Sequence, residues 1–312
     1  MAKNLKAVLF FNPKSGRSKL DPQLGLIKNH FDQNHIALET VLVPKPAEEI
    51  KEIINKAISN DVNIFMAAGG DGTVSMISTH LVGTEIPVGI IPLGTGNVLA
   101  KALHIPLNLE KALELITTDD HSKLKIDTFK MDGHYFVLNV SVGLSPEIMR
   151  SVSSGDKQRL GFFAYLINFF QQLLGLKVHR IVIDCDHQLS SHLASEILIT
   201  NVATAGMEPF FWSDDIQFND GTLDLLIFRT KGFKEILRLV ISVFTKKCKL
   251  NPEINFMQVK EYCRIESPTT LHTQADGDVV GKTPFEIRVY PSSLSIIVGK
   301  EEFNNHQNQE RS

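Results

Sequence analysis

Cysteine is scarce in this sequence, with three in 312 residues. Cys185, Cys248 and Cys263 lie far apart, match no metal-ligand spacing and leave one thiol over if two were bridged. That excludes a disulfide-dense scaffold or a zinc ribbon and reads as reduced, intracellular thiols. A dominant charge is missing as well. Lys and Arg number 32 against 35 Asp and Glu, for a net charge of −3, which removes any whole-chain attraction to nucleic acid and leaves basic patches to be local. Long apolar runs are also absent. Ala7 to Phe11 is too short for the core of an export signal. Leu160 to Leu176 is interrupted by Asn168, Gln171 and Gln172, and Ile236 to Phe244 is too brief to cross roughly 30 Å of hydrocarbon. The expectation is a protein that is not exported and does not span a membrane. No internal repeat or low-complexity tract is present.

What is there is ordinary globular material, 43% hydrophobic and 21% charged, long enough for two domains with a core each. In the first third, short β-rich runs alternate with helical patterns, which is how βαβ units and a parallel sheet read. Lys6–Phe11, Leu38–Val43, Val62–Ala67 and Val88–Ile91 are the predicted strands. Glu48–Ile58 and Leu109–Ile116 repeat their apolar residues at helical spacing. Beyond about Lys123 the strands follow one another directly: Tyr135–Val142, Ile181–Cys185, Glu196–Asn201, Leu223–Phe228, Phe256–Ile265 and Phe285–Tyr290. Two helical patterns, Leu160–Leu174 and Phe233–Phe244, interrupt them. The expected organisation is an α/β domain over 1–127, a mainly antiparallel domain over 128–300 whose last strand returns to the first domain, and a polar tail over 301–312.

Three of the four amino-terminal strands run straight into loops of small or turn-forming residues. These are Asn12-Pro13-Lys14-Ser15-Gly16, Gly69-Gly70-Asp71-Gly72-Thr73 and Leu93-Gly94-Thr95-Gly96-Asn97. In a parallel sheet all three leave from the carboxyl edge, where open α/β folds bind ligands and helix amino termini present N–H groups. Such an edge suits a polyphosphate. Glycine lets the backbone close on phosphate oxygens, and the hydroxyls of Thr73 and Thr95 add donors. Asp71 is the odd member, because a carboxylate among phosphates repels them unless a cation intervenes, which points to Mg²⁺ or to proton acceptance. A single loop of this kind is as readily a plain tight turn; three on one edge are not.

Other nucleotide motifs fail on inspection. Gly277 to Thr283 has the wrong glycine spacing for a P-loop and runs into Pro284 and a strand pattern. Gly94 to Leu99 lacks the final glycine of a dinucleotide fingerprint.

Taken together, Asn12 to Gly16, Gly69 to Thr73 and Pro92 to Asn97, with Asn219-Asp220-Gly221-Thr222-Leu223-Asp224 and Asp276-Gly277-Asp278 further on, resemble the bacterial diacylglycerol kinase-like lipid kinases over nearly the whole chain. The resemblance implies an amino-terminal nucleotide domain of the phosphofructokinase and NAD kinase type, followed by a β-sandwich carrying the lipid site. ATP would lie against Asn12, Pro13, Lys14, Ser15, Gly16, Thr40, Gly69, Gly70, Asp71, Gly72, Thr73, Val74, Gly94, Thr95 and Asn97. Lys14 would meet a phosphate or stand as a surface lysine. Asp220 would hold Mg²⁺ with backbone carbonyls of Gln217 and Thr222, although Asn219-Asp220-Gly221 alone reads as a hairpin turn. Asp276 or Asp278 would serve as the general base, with Asp71 as a further catalytic carboxylate; the family often carries Glu where this chain has Asp278.

The implied activity is transfer of the γ-phosphoryl group of ATP to the hydroxyl of diacylglycerol or a related lipid. The protein would be cytoplasmic and peripheral at the inner face of the membrane. Phe233–Phe244 reads either as a membrane-surface helix, with Phe233, Ile236, Leu237, Val240 and Phe244 on one face among Lys231, Lys234, Arg238, Lys246, Lys247 and Lys249, or as a helix packed on the sandwich. Leu160–Leu174, with Phe162, Phe163, Phe169 and Phe170, reads as an acyl-chain cleft or as core. Two rivals remain: an NAD kinase-type enzyme acting on a soluble ribose hydroxyl, whose usual Asn-Glu pair after the glycine loops is not seen, and a nucleotide-binding regulator without transfer activity, which would need no acceptor base.

Overall fold

The structure, a computed structural model, describes residues 5–15, 21–118, 120–143, 177–204 and 211–309, the side chains of residues 21, 233 and 305–309 excepted. The expected helix Leu160–Leu174 and the glycine at position 16 lie outside the described residues. The chain forms two compact units, Met1–Thr128 together with Pro291–Ser312, and Phe129–Tyr290.

The first unit is built on β1 (Lys6–Phe11), β2 (Ala37–Leu42), β3 (Ile64–Gly69) and β4 (Val88–Pro92), in the order β2-β1-β3-β4 and parallel throughout. β3 and β4 are buried at every position and β1 at all but Lys6. Their unbroken apolar runs suit strands covered on both faces. On one side Ala7, Leu9, Phe11, Met66 and Ile91 pack with Ile27 and Phe31 of α1 (Asp21–Gln33) and with Leu113 and Ile116 of the helix Leu109–Thr117. The helical period of α2 (Ala47–Ser59) buries Ile50, Ile54 and Ala57. α3 (Asp71–Ser78), α4 (Val98–Ala102) and α5 (Leu109–Thr117) follow along the chain. The side chain of Asn108 caps α5 by accepting from the Lys111 N–H.

The second unit has two antiparallel layers. One is a six-stranded sheet in which β10 (Glu196–Thr200) lies between β7 (Asn139–Gly143) and β11 (Leu223–Phe228), with β12 (Ile254–Val259), β14 (His272–Ala275) and β15 (Asp278–Lys282) outside them. The other joins β8 (His179–Cys185), β9 (Gln188–Ala194), β13 (Tyr262–Glu266) and the first residues of β16 (Phe285–Gly299). Leu223, Leu225 and Ile227 point into the core between the layers, while Leu226 and Phe228 point the other way, onto Val243 of α6 (Phe233–Phe244). β11 is apolar at both parities because both its faces are covered. The end of β5 (His121–Met131) and β6 (His134–Phe136) form a hairpin across Asp132-Gly133, both residues at positive φ.

Four details differ from the sequence reading. Tyr135–Val142 is two strands, β6 and β7, and Phe256–Ile265 is likewise β12 and β13. The turn before β13 is held by the Asp186 carboxylate, which accepts from the N–H groups of Lys260, Glu261 and Tyr262. Cys185 and Cys263, read as reduced, are joined by a disulfide; they are register partners on β8 and β13, a proximity that 78 residues of separation conceal. The terminus read as a polar tail contains α7 (Lys300–Gln309). Glu301 and Glu302 in its first turn complement the helix dipole, and Glu302 pairs with His104.

Candidate active site

The three strand-end loops of the first unit touch one another. The Asn12 side chain donates to Thr73 Oγ1 (3.1 Å), and the Gly70 N–H donates to Ser15 Oγ (3.3 Å), so the first loop is stitched to the second. Asn12 also folds its own loop, its Oδ1 accepting from the Lys14 N–H in an Asx-type turn. The second loop meets the third backbone to backbone. A Cβ on Gly94 would stand 2.4 Å from Gly70 Cα, and the N–H groups of Leu93 and Gly94 both donate to the Gly69 carbonyl. The glycines are thus needed for loop-to-loop packing as well as for any ligand. Asn97 adopts a left-handed conformation (φ 48°) and closes the third loop, with Oδ1 accepting from the Gly94 N–H and Nδ2 donating to the Gly94 carbonyl.

Asp71 has protein partners of its own. Its Oδ1 accepts from the Leu99 N–H at the start of α4 (3.3 Å), and its Oδ2 would stand 2.9 Å from a Cβ at Gly96. Burial pushes its carboxyl above the usual range, an effect opposed by the amides of Leu99, Val98 and Asn97. Asp71 therefore clips the second loop to the third. Pro13, Lys14, Gly72 and Thr95 are exposed at the loop tips, whereas Thr73 and Val74 are buried and give their N–H groups to the Gly70 carbonyl. Thr40 stands within β2 opposite Leu9, two positions before the strand end, and among the described residues no hydrogen bond ties it to the loops.

In the second unit Asp276 and Gly277 form the two-residue turn between β14 and β15, with φ 47° and 97°, as a type I′ hairpin requires. The two carboxylates of this turn separate. Asp276 is buried and accepts from the N–H groups of Val137 (2.9 Å), Leu138 (2.8 Å) and Asn139 (3.1 Å). Asn201 braces the same segment, donating through its backbone to the Leu138 carbonyl and through Nδ2 to that of Val137. Asp278, opposite Ala275, is exposed. Sequence reasoning missed Asn201, a lone buried amide after an apolar strand.

The loop before β11 is an Asx-type turn: Asp220 Oδ1 accepts from both the N–H and the hydroxyl of Thr222 (2.9 Å each), with Gly221 at φ 78°. Asp224 follows on β11 with its Oδ2 buried and, among the described residues, without a hydrogen-bond partner. Desolvation first, then the charges of Asp220 and Asp215, push its carboxyl up to about 7, and Lys249 acts in the opposite sense. Asp224 closes the Asn219–Asp224 motif but carries no role in the sequence reading, although a carboxylate in an otherwise apolar strand is a visible signal. Oxygen-only donors at Asp220, Gln217 and Thr222, beside a carboxylate left without a partner, suit a hard cation. Among the described residues no three His, Cys, Asp or Glu side chains gather as a metal cluster, so a cation here would depend on one or two carboxylates, carbonyls and water, as Mg²⁺ commonly does.

Both units match known protein families. Residues 6–131 match the diacylglycerol kinase catalytic domain and residues 139–298 the YegS C-terminal NAD kinase beta sandwich-like domain. An uncharacterized protein of Synechocystis sp. is 31% identical over 301 residues, 92% of this chain and 69% of that one. A diacylglycerol kinase of Staphylococcus haemolyticus is 26% identical over 304 residues, 96% of this chain and 89% of its own. The crystal structure of a diacylglycerol kinase from Bacillus anthracis str. Sterne shares the fold with a TM-score of 0.75 at 23% identity, covering 95% of this chain and 97% of that one. With a catalytic domain matched on its first unit and a sandwich domain on its second, the chain belongs to the bacterial diacylglycerol kinase-like family of lipid kinases.

Proposed function

We propose that this chain transfers the γ-phosphoryl group of ATP to the hydroxyl of diacylglycerol or a closely related lipid. The observation that carries the proposal is the packing of three strand-end loops at one sheet edge, the first bonded to the second through Asn12 and Ser15 and the second held against the third where Gly70 meets Gly94. Exposed tips at Pro13, Lys14, Gly72 and Thr95, beside the amino terminus of α3, offer a polyphosphate a close approach to backbone and the positive dipole end it needs. Asp71 acts here as a positioning residue that keeps the third loop against the second.

In the transfer step the lipid hydroxyl oxygen forms a bond to the γ-phosphorus as the bond from that phosphorus to the β–γ bridging oxygen breaks, leaving ADP and a phosphorylated lipid. The hydroxyl proton passes to a carboxylate. Asp278 is our choice for that acceptor, since Asp276 has three amides on its oxygens and holds the turn. Asp220, with the carbonyls of Gln217 and Thr222, would hold Mg²⁺. That ion would neutralise negative charge beside Asp224.

The test is incubation with γ-labelled ATP, Mg²⁺ and 1,2-dioleoylglycerol. Labelled phosphatidate is the expected product. Label appearing in NADP from added NAD, with none in lipid, would overturn the proposal in favour of the NAD kinase-type reading.

A further inference from the structure

Among the described residues, α6 packs on the six-stranded sheet through one side. Ile236 and Val243 are buried, and Val243 meets Leu226, Phe228 and Ile254. A helix so seated ordinarily turns charge to the solvent. Here the outward stripe is apolar: Leu237 and Ile241, one turn apart, are 47% and 52% exposed, Phe244 in the next turn is half exposed, and Leu250 just beyond the helix is 78% exposed. Helical spacing sets Ile236 and Leu237 on one face, membrane-facing or packed; the structure buries the first and exposes the second.

The charge around this stripe is one-sided. Between Lys234 and Leu250 there are five basic residues, Lys234, Arg238, Lys246, Lys247 and Lys249, and one acidic residue, Glu235, in a chain whose net charge is −3. Arg238 is paired with Glu253 and Lys249 with Asp215. Lys246 lies over the Phe211 ring. Lys234 and Lys247 have no ion pair among the described residues. Exposed leucine and isoleucine bordered by lysine match a bilayer whose surface is anionic: the apolar side chains enter the acyl boundary while the ammonium groups remain among the phosphates.

We infer that the outer face of α6, centred on Leu237 and Ile241 and edged by Lys234 and Lys247, docks the protein on an anionic phospholipid surface. The inference rests on the lipid-kinase reading, because an enzyme acting on a long-chain lipid must reach that lipid in a bilayer. A second copy of the chain is the competing occupant, but the basic border would repel its own image.

Flotation with phosphatidylglycerol–phosphatidylcholine vesicles, and with phosphatidylcholine alone, tests it. The wild-type chain should float at least tenfold more with the anionic vesicles, and less as salt is raised. Leu237→Glu/Ile241→Glu and Lys234→Glu/Lys247→Glu should each lose that flotation tenfold or more, while phosphorylation of water-soluble dihexanoylglycerol without vesicles stays within twofold of wild type. Variants that float like the wild type, a wild type that does not prefer anionic vesicles, or a dimer abolished by the leucine–isoleucine pair would each overturn the inference. A wild-type chain that floats but leaves dihexanoylglycerol unphosphorylated would reject the kinase reading instead.

Discussion

The two groups of candidate site residues are built on opposite principles. In the first unit the site is made of backbone: glycines let loops approach until Gly70 Cα and Gly94 nearly touch, and side chains such as Asn12, Asn97 and Asp71 serve to hold main chain in place. In the second unit it is made of side chains: amides of residues 137–139 hold one carboxylate of a hairpin, Asp276, and leave the other, Asp278, exposed. A phosphate-binding edge needs many weak donors at close range, which only bare backbone supplies. A proton acceptor needs an uncommitted carboxylate on a turn that is itself kept at a fixed place.

The sharpest way to break that contrast is at the backbone-built site. Gly94→Ala sets a methyl group 2.4 Å from Gly70 Cα, so the loops must part. Overpacking of this kind costs about 1–3 kcal/mol, and lipid phosphorylation should fall by roughly 10³-fold or more, since misplacement by an ångström alone costs about 10²-fold. Near-normal activity in this variant would mean that the loops do not act as one cradle. Thermal melting and turnover measured on the same preparation check both parts.

The two carboxylates of the hairpin should then separate by readout. Asp278→Asn is expected to lower kcat by roughly 10²–10⁴-fold, the range of general base catalysis, with an unchanged melting temperature. Asp276→Asn leaves amides of residues 137–139 poorly matched and should cost about 2 kcal/mol of stability, seen as an earlier urea midpoint. If instead Asp278→Asn retains full turnover and Asp276→Asn loses it without destabilisation, the assignment of the two roles is reversed.

An effect on stability alone follows from Asp224. Its carboxyl, held up to about 7 chiefly by desolvation, keeps its proton in the folded protein where the unfolded chain has already lost it. The folded state is therefore favoured most below the ordinary carboxylate range and loses ~1.4 kcal/mol per pH unit from this group as pH rises toward 7, after which the loss is complete. Asp224→Asn should remove that slope, so that in EDTA the variant is more stable than wild type at pH 8. Added Mg²⁺ should narrow the gap if Asp220 and its neighbours hold the cation. Urea unfolding at several pH values, with and without Mg²⁺, measures it.

Much of this was legible in the chain. The buried strands β1, β3 and β4 announce themselves as unbroken apolar runs, and the amphipathic period of α2 and α5 is plain to the eye. Asp276-Gly277 and Asp132-Gly133, which close hairpins, have the residue types such turns favour. Splits within a run were harder to see: Lys260 and Glu261 interrupt β12 and β13 without glycine or proline, because a distant carboxylate, Asp186, satisfies the turn.

Sequence by itself determined the types of β1, β3, β4, α2 and α5, the glycine-rich loops and the identities of the carboxylates, since these depend on local period, on φ preferences and on residue chemistry. Only the tertiary structure decided that Asp276 is held while Asp278 is exposed, that Asp71 reaches the start of α4, that Cys185 meets Cys263, and that Leu237 faces outward where Ile236 faces in. Each of these is a matter of what lies across space from a side chain, and pairing between strands far apart in the chain leaves no periodic trace in the order of residues.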